Sequence, residues 1–319
     1  MVLFFVFETL PSAHMRLAGV DPSDWQYIGS GSANVVLGYG GSELRLKGKV
    51  VRLRLECTNV STKTIFQHLT SSCFDPIRMY LVETELCEIS REALQKFEQT
   101  ISSLGLKQKV KMNETHCLIM RNIFSFPYND YTKIDLNKYY KLRVHKEETI
   151  FEFKPKWLYN LPEGHMNCRN CLVAEQKKQS FLTCHLKVLQ GKQGINEWCS
   201  EIQEELDSRG MCISVAHQLS SVIVRNIHLI ETLFKLQSRT DVHEVLAQLT
   251  SQDDVNEELM FSMTLRDASI MYNLTTNEAF IVDLDMKSST KWDAWKRQEL
   301  NLQQCYLQES ELKCRVKRN

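Results

Sequence analysis

MTLRDASIMYNLTTNEAFIVDLDMK, residues 263–287, sets two apolar-rich segments on either side of the polar run TTNE. Two such segments about a short turn predict a β-hairpin. A turn at Thr276 and Asn277 sets Asp267 near Met286 and places Asp283 and Asp285 opposite Ile270 and Ala268. The three carboxylates then collect at the open end of the ribbon, spaced by roughly 3.3 Å per residue. Phosphoryl transfer needs such a group, with one carboxylate to orient or deprotonate the attacking hydroxyl and another to hold magnesium on the nucleotide phosphates. Asp283 and Asp285 share one strand face, with Val282 and Leu284 on the other. Burying acids on so apolar a strand is costly without a partner or a cation. Ordinary exposed strand-end acids fit the same spacing, and the pattern leaves both readings open.

Outward from the ribbon, strands come early and helices late. WQYI (25–28), NVVLGY (34–39) and KVVRLRL (49–55) are β-branched and aromatic runs divided by Gly/Ser clusters, which predicts an antiparallel meander. STKTIFQHL (61–69) and SREALQKFEQTISSL (90–104) have helical spacing behind Ser/Thr caps. HCLIMRNIFSFP (116–127) predicts a buried strand, and TIFEFKPKWL (149–158) another. Residues 160–200 look irregular, 211–249 helical, and the tail after Lys287 charged and helical. This order predicts an α+β protein of two lobes. Residues 1–20 are expected to be a peripheral extension, with Met15 as an alternative start, followed by an N-lobe over 21–122 and a C-lobe over 123–319.

The 319 residues balance 39 basic against 39 acidic side chains. A neutral total argues against a nucleic-acid binder, so any anion site must be a local cluster. The apolar start MVLFFVF ends at Glu8. It is far short of the ~20 residues of a membrane span and lacks the basic flank of a secretory signal. Eleven cysteines, an odd number, in an expected reducing compartment favour metal ligation over disulfides. In HMNCRNC and TCH, Cys168, Cys171, Cys184 and His185 form a zinc pattern inside a loop over 160–190, with His165 as the rival to His185. Four ligands there would staple a segment that lacks its own core.

Two further segments carry candidate ligand chemistry. In GSGSANVVLGY (29–39) the close glycines could leave backbone N–H groups for phosphate oxygens, although a plain hairpin turn fits equally. Arg52 and Arg54 alternate on the next strand. In EFKPKWL, Glu152, Lys154 and Lys156 share a face, and Pro155 keeps the segment off a central ladder position. Two lysines there suit a polyanion or, alternatively, guard a sheet edge.

Together GSGSANVVLGY, KVVRLRL, EFKPK, CRNCLVAEQKK, MTLRDASIM and IVDLDMK resemble, in order, the inositol-pentakisphosphate 2-kinase family, in particular its short fungal members. The resemblance runs over residues 25–295 and is poorest over 60–115 and 190–255. It implies a kinase-like two-lobed fold, with an antiparallel-sheet N-lobe and a mixed α/β C-lobe carrying the Cys/His-rich insertion. It further implies Mg-ATP as phosphoryl donor and the 2-hydroxyl of inositol pentakisphosphate as acceptor.

By motif, the resemblance implies that Asp267 faces the attacking hydroxyl and that Asp283 binds magnesium with Asp285 beside it. Gly31, Ala33, Asn34 and Arg52 would hold the nucleotide phosphates, Met120 to Asn122 would form the adenine hinge, and Glu152 would line the nucleotide pocket. Lys154, Lys156, Arg169, Lys177, Asn226, Lys287 and Lys291 would hold the inositol phosphates, and Trp295 stands where the family usually has Tyr. A monomer, in the nucleus or alternatively the cytoplasm, is expected. A kinase of another inositol polyphosphate is the rival within the enzyme class, and a zinc-stabilised inositol-phosphate sensor without turnover is the rival outside it.

Overall fold

The computed structural model describes residues 16–17, 21–158, 166–178, 183–239, 242–308 and 314. They form a mixed α/β protein with two antiparallel-rich sheets, as the α+β reading expects. Two compact units result. One takes the described residues up to Thr70 with Glu83–Tyr128, and the other takes Ser71–Val82 and the described residues from Asn129 onward. No helix among the described residues is long and apolar enough to cross a membrane.

The first unit holds six strands: β1 (Arg16–Leu17), β2 (Trp25–Ser30), β3 (Asn34–Tyr39), β4 (Lys49–Arg54), β5 (Thr84–Ile89) and β6 (His116–Arg121). They lie in the order β1-β5-β6-β4-β3-β2, parallel only between β1 and β5. Two helices, α1 (Thr62–Thr70) and α2 (Arg91–Ser103), complete it. Ser90 caps α2 by accepting from Ala93 N at 3.2 Å, and Ala93, Leu94, Phe97 and Ile101 turn one buried stripe to the sheet. There Phe97 meets Trp25 edge to face at 5.8 Å, within a core that includes Val35, Leu37, Val51 and Leu53.

The second unit is built on β7 (Thr132–Asp135), β8 (Tyr140–Val144), β9 (Thr149–Phe153), β10 (Ser269–Asn273) and β11 (Glu278–Val282), antiparallel throughout and ordered β11-β10-β9-β8-β7. Among the described residues this unit also holds seven helices: α3 (Arg169–Gln176), α4 (Gly191–Ser208), α5 (Ala216–Arg225), α6 (Ile227–Gln237), α7 (Val242–Gln248), α8 (Glu257–Leu265) and α9 (Trp292–Leu307). Trp198 of α4 is fully buried. Its ring packs on Phe153 at 4.9 Å, Tyr140 at 5.6 Å and Phe151 at 5.9 Å, which fixes α4 to the sheet.

Three expectations need correction. Residues 160–200 are not irregular throughout, because most of the 18-residue helix α4 falls there. Its buried positions Ile195, Trp198, Cys199, Ile202 and Leu206 carry helical spacing, masked in the sequence by Gly191, Gly194 and the lack of a capping side chain. The ribbon pairs Ser269 with Val282 and Asn273 with Glu278, two residues away from the expected register. Asn273 Oδ1 accepts from Thr275 N and Thr276 N at 3.0 Å each, and Asn277 takes φ +60°, so the turn sits earlier than the sequence suggests. A shift of two preserves the faces of both strands. Finally, Met263–Leu265 are helical and β11 stops at Val282, so Asp267, Asp283 and Asp285 flank the ribbon.

Replacing Trp198 by Ala should leave a cavity against three aromatic rings and cost about 3–5 kcal/mol, measured by urea unfolding.

Candidate active site

The site begins where β9 leaves its sheet. Pro155 has no N–H for the ladder, and Lys156 N instead bonds Lys154 O at 2.7 Å, turning the chain. Trp157 then takes φ +55°, a left-handed conformation that is rare for a bulky side chain. Such strain persists only where the surroundings over-determine it, and here they do. The fully buried Gln237 accepts from Leu158 N at 2.9 Å and donates to Pro155 O at 3.3 Å. Asn170 donates to Lys156 O and, at 3.3 Å, to Trp157 O. The Trp157 ring lies beneath the Arg169 guanidinium at 3.7 Å and within 4.9 Å of that of Arg266. Arg169 is buried against Glu299, whose other oxygen accepts from His243 Nδ1 at 2.6 Å.

This strap delivers Lys156 to Asp267, which also pairs with Lys287 from beyond the ribbon. Burial pushes the Asp267 carboxyl up, but the two ammonium groups outweigh it and hold the group well below the usual carboxylate range. Across the open end of the ribbon, Asp283 Oδ2 accepts from Lys154 Nζ at 3.1 Å and from Ser269 Oγ at 3.1 Å. Asp283 itself sits at φ +63°, which turns its carboxylate out of the strand alternation. Glu152 continues the network to Lys154 at 3.5 Å, Lys141 at 3.6 Å and Ser269 Oγ at 3.2 Å. Burial lowers the affinity of Lys154 for its proton, yet Asp283 and Glu152 outweigh this and raise it.

A cavity of about 230 Å³ opens beside Asp267. Its lining includes Lys138, Lys156, Lys177, Arg266, Lys287 and Lys291, six basic side chains against the one carboxylate of Asp267. Trp157, Trp295, Tyr139, Asn170 and Gln298 supply more of its wall. The structure therefore brings Asp267, Lys156, Lys177, Lys287, Lys291 and Trp295 of the expected residues together. Sequence reasoning missed Lys138, Arg266 and Trp157. Arg266 is the first residue of the motif RDASIM and Trp157 directly follows EFKPK, and that placement was the available signal.

Other expected residues are not part of the cavity lining. Arg169 stands behind it, supporting Trp157, and Lys154 points at Asp283. Asn226 closes the opposite end of the ribbon, donating to Asn277 O at 3.2 Å. In the first unit, Gly31 N bonds Asn34 O at 2.9 Å within the hairpin loop, so that N–H is taken by the turn. Ala33 O receives Leu55 N at 2.9 Å, and Asn34 Oδ1 receives the buried Arg54 at 2.9 Å. Arg52 pairs across strands with Val36 and Leu118. Met120 pairs with Val50 and Thr84, and Asn122 N bonds Gly48 O at 2.7 Å.

The cysteine pattern closes differently from the expected one. Cys168, Cys171, Cys184 and Cys314 are all buried, with their sulfurs within 4.8 Å of one another. Separations of 3.4–3.6 Å between Cys168 and Cys171, Cys168 and Cys184, and Cys184 and Cys314 suit a tetrahedral four-thiolate zinc site. His185 is not the fourth member. Its Nδ1 donates to Lys156 O at 3.2 Å, and its ring is caged by Tyr139, Tyr140 and Phe153. Burial pushes the imidazole down to about 4 and keeps it neutral. Adjacent residues point apart, so Cys184 and His185 serve different neighbours. His165 lies outside the described residues.

Acids at a ribbon's open end, beside a cavity crowded with cations, define a phosphoryl-transfer enzyme for a small polyanion. The model of the inositol-pentakisphosphate 2-kinase family matches residues 27–202 and 172–301, and the chain belongs to that family. Curated relatives called inositol-pentakisphosphate 2-kinase include those of Debaryomyces hansenii, 24% identical over 89% of this chain and 92% of the relative, and Eremothecium gossypii, 26% identical over 84% and 93%. The Saccharomyces cerevisiae relative is 25% identical over 85% and 94%.

The Arg169–Glu299 pair supplies a test of the support behind the cavity. Burial raises the Glu299 carboxyl, but His243 and Arg169 outweigh it and lower it overall. A carboxyl depressed on folding stabilises above its unfolded value of roughly 4.3 and loses that contribution as pH falls towards its folded value. Glu299→Gln should therefore cost about 3–5 kcal/mol at pH 7. The difference from wild type in denaturant unfolding should shrink steadily below about pH 4.

Proposed function

We propose that this chain transfers the terminal phosphoryl group of ATP to the free 2-hydroxyl of inositol pentakisphosphate, giving inositol hexakisphosphate and ADP. The observation that carries this reading is Asp267 at the wall of a cavity with six basic side chains, in a chain of this family. Five phosphates fill a small volume with negative charge, and charge-assisted contacts from lysine and arginine are the means to hold them. Lys156 and Lys287 belong both to the cavity and to Asp267. Phosphates bound by them are thereby registered against the carboxylate. Binding energy from non-reacting phosphates then orients the lone hydroxyl for in-line attack.

The hydroxyl oxygen forms the new P–O bond as the bond to ADP breaks. A carboxylate held as acidic as Asp267 is a weak base, so its part is to orient the hydroxyl and to accept its proton late, in keeping with a loose transition state. Asp283, with Asp285 beside it, offers the hard oxygen donors magnesium prefers. Magnesium would neutralise charge on the transferring phosphates. Nucleotide-phosphate contacts are assigned to Gly31, Ala33, Asn34 and Arg52, the adenine hinge to Met120 and Asn122, and the lining of the nucleotide pocket to Glu152. The same reading takes the two units as the lobes of a kinase-like fold. We assign structural zinc to the four cysteines, which ties Cys314 to the start of α3.

Two outcomes follow. Asp267→Asn should lower kcat for inositol pentakisphosphate by about 10²–10⁴ while substrate binding by calorimetry holds or tightens, because a competing anion leaves the cavity. Elemental analysis should find one zinc per chain, and Cys184→Ser should release it and lower the melting temperature. Retained stoichiometric zinc in that variant would exclude the four-cysteine site.

A further inference from the structure

Lys138 carries no assigned role, yet it lines the same cavity as Lys177 and comes from a different element. The turn between β7 and β8 fixes it there. Asn137 Oδ1 accepts from Tyr139 N at 2.7 Å and Tyr140 N at 3.0 Å, and the Lys138 ammonium lies 4.7 Å from the ring centroid of the buried Tyr139. Tyr139 O in turn receives Lys154 N at 2.9 Å, which locks this turn to the segment carrying Lys156. Lys177 is the C-cap of α3, its backbone N–H bonded to Val173 O. The negative end of a helix explains one cation at that place. It does not explain a second arriving from the β7–β8 turn.

Both side chains line the wall of this one cavity. Among the described residues, neither forms an ion pair with a carboxylate, whereas Lys154, Lys156 and Lys287 all do. Two ammonium groups facing each other without a counter-ion repel. Burial lowers Lys138, and the charge of Lys138 lowers Lys177. A tetrahedral dianion placed between them would turn that repulsion into two charge-assisted hydrogen bonds.

We propose that Lys138 and Lys177 form a two-lysine clamp for a single non-reacting phosphate of the substrate, and that Lys138 thereby helps set which inositol phosphates are accepted. The clamp rests on the reading of the cavity as the inositol pentakisphosphate site. Its ligand is a phosphate monoester dianion, which the polyol or the nucleotide could supply, and the polyol is the source assigned.

Lys138→Met, Lys177→Met, the double variant and Lys138→Arg should be compared with wild type. The measurements are kcat and KM for inositol pentakisphosphate and for ATP, with melting temperatures as a check on folding. Each single Met variant should raise KM for the polyol about tenfold and leave KM for ATP unchanged. The double variant should lose much less than the product of the singles, because both lysines serve one phosphate. Lys138→Arg should recover most of the loss. Across inositol tetrakisphosphates that each lack one phosphate, the Lys138→Met penalty should vanish for one isomer and persist for the rest. A penalty equal for every isomer, a loss confined to KM for ATP, or unchanged kinetics would overturn the clamp. Should wild type phosphorylate no inositol phosphate, the proposed function falls instead. Calorimetry with inositol pentakisphosphate then decides the clamp, which is overturned if Lys138→Met binds as wild type does.

Discussion

The carboxylate of Asp267, gripped by Lys156 on one side and Lys287 on the other, is the contact about which the second unit is arranged. Half-exposed ion pairs of this sort contribute about 0–1 kcal/mol to folding, so the pairing matters less for stability than for position. It joins three segments that are distant in sequence: the end of β9, the α8–β10 connection and the stretch after β11. None of the three lies in regular structure at the point of contact. Regular strands would carry these side chains to alternate faces. Leaving the ladder lets all three aim at one spot, with Pro155 and the early end of β11 as the means.

Irregular backbone must be held, and the holding is done by buried polar groups. Gln237, Asn170 and His185 each satisfy a carbonyl or N–H of the strap that no strand partner reaches. Arg169 and Arg266 then clamp the Trp157 ring in a conformation it would not otherwise adopt. The resemblance implies that Arg169 grips substrate, but its guanidinium is 3% exposed and committed to Glu299. Its charge is already neutralised, and its place is in the support behind the cavity wall. The cations that face the cavity are mainly lysines, whose flexible stems tolerate several phosphate positions where a guanidinium fork would fix one.

Much of this was legible in the sequence where a single local rule decides the outcome. β-branched and aromatic runs give β3 and β4, alternation gives β9, two apolar segments about a polar turn give the ribbon, and Ser90 before an apolar stripe gives α2 to within a residue. What failed did so for identifiable reasons. Helix α4 was hidden by glycines at its start. The ribbon register depended on Asn273 accepting two turn N–H groups, which a count of alternating residues does not register. The fourth cysteine, Cys314, lies 130 residues from Cys184, and spacing rules look for nearby ligands. His185 was drawn into the metal pattern by adjacency alone, whereas burial among three aromatic rings and the carbonyl of Lys156 decide its place. Lys138 sits on a turn whose sequence, NKYY, carries no signal of what the turn faces.

The chain is neutral overall yet sets six basic groups against one acid in about 230 Å³, and that imbalance has a cost the fold must absorb before ligand arrives. The distribution of partners shows how the cost is handled. Of the lining lysines, Lys156 and Lys287 are paired with Asp267, while Lys154, outside the lining, pairs with Asp283 and Glu152. Lys138 and Lys177 form no carboxylate pair among the described residues. On the proposed reading, incoming phosphates exchange partners at the ribbon, where existing ion pairs must rearrange, but have no carboxylate to displace at Lys138 and Lys177. Electrostatic attraction is strongest where no counter-charge has to be displaced. On that reading Lys138 and Lys177 are the first anchor for a polyanion, and the paired lysines place its hydroxyl against Asp267 once it has docked.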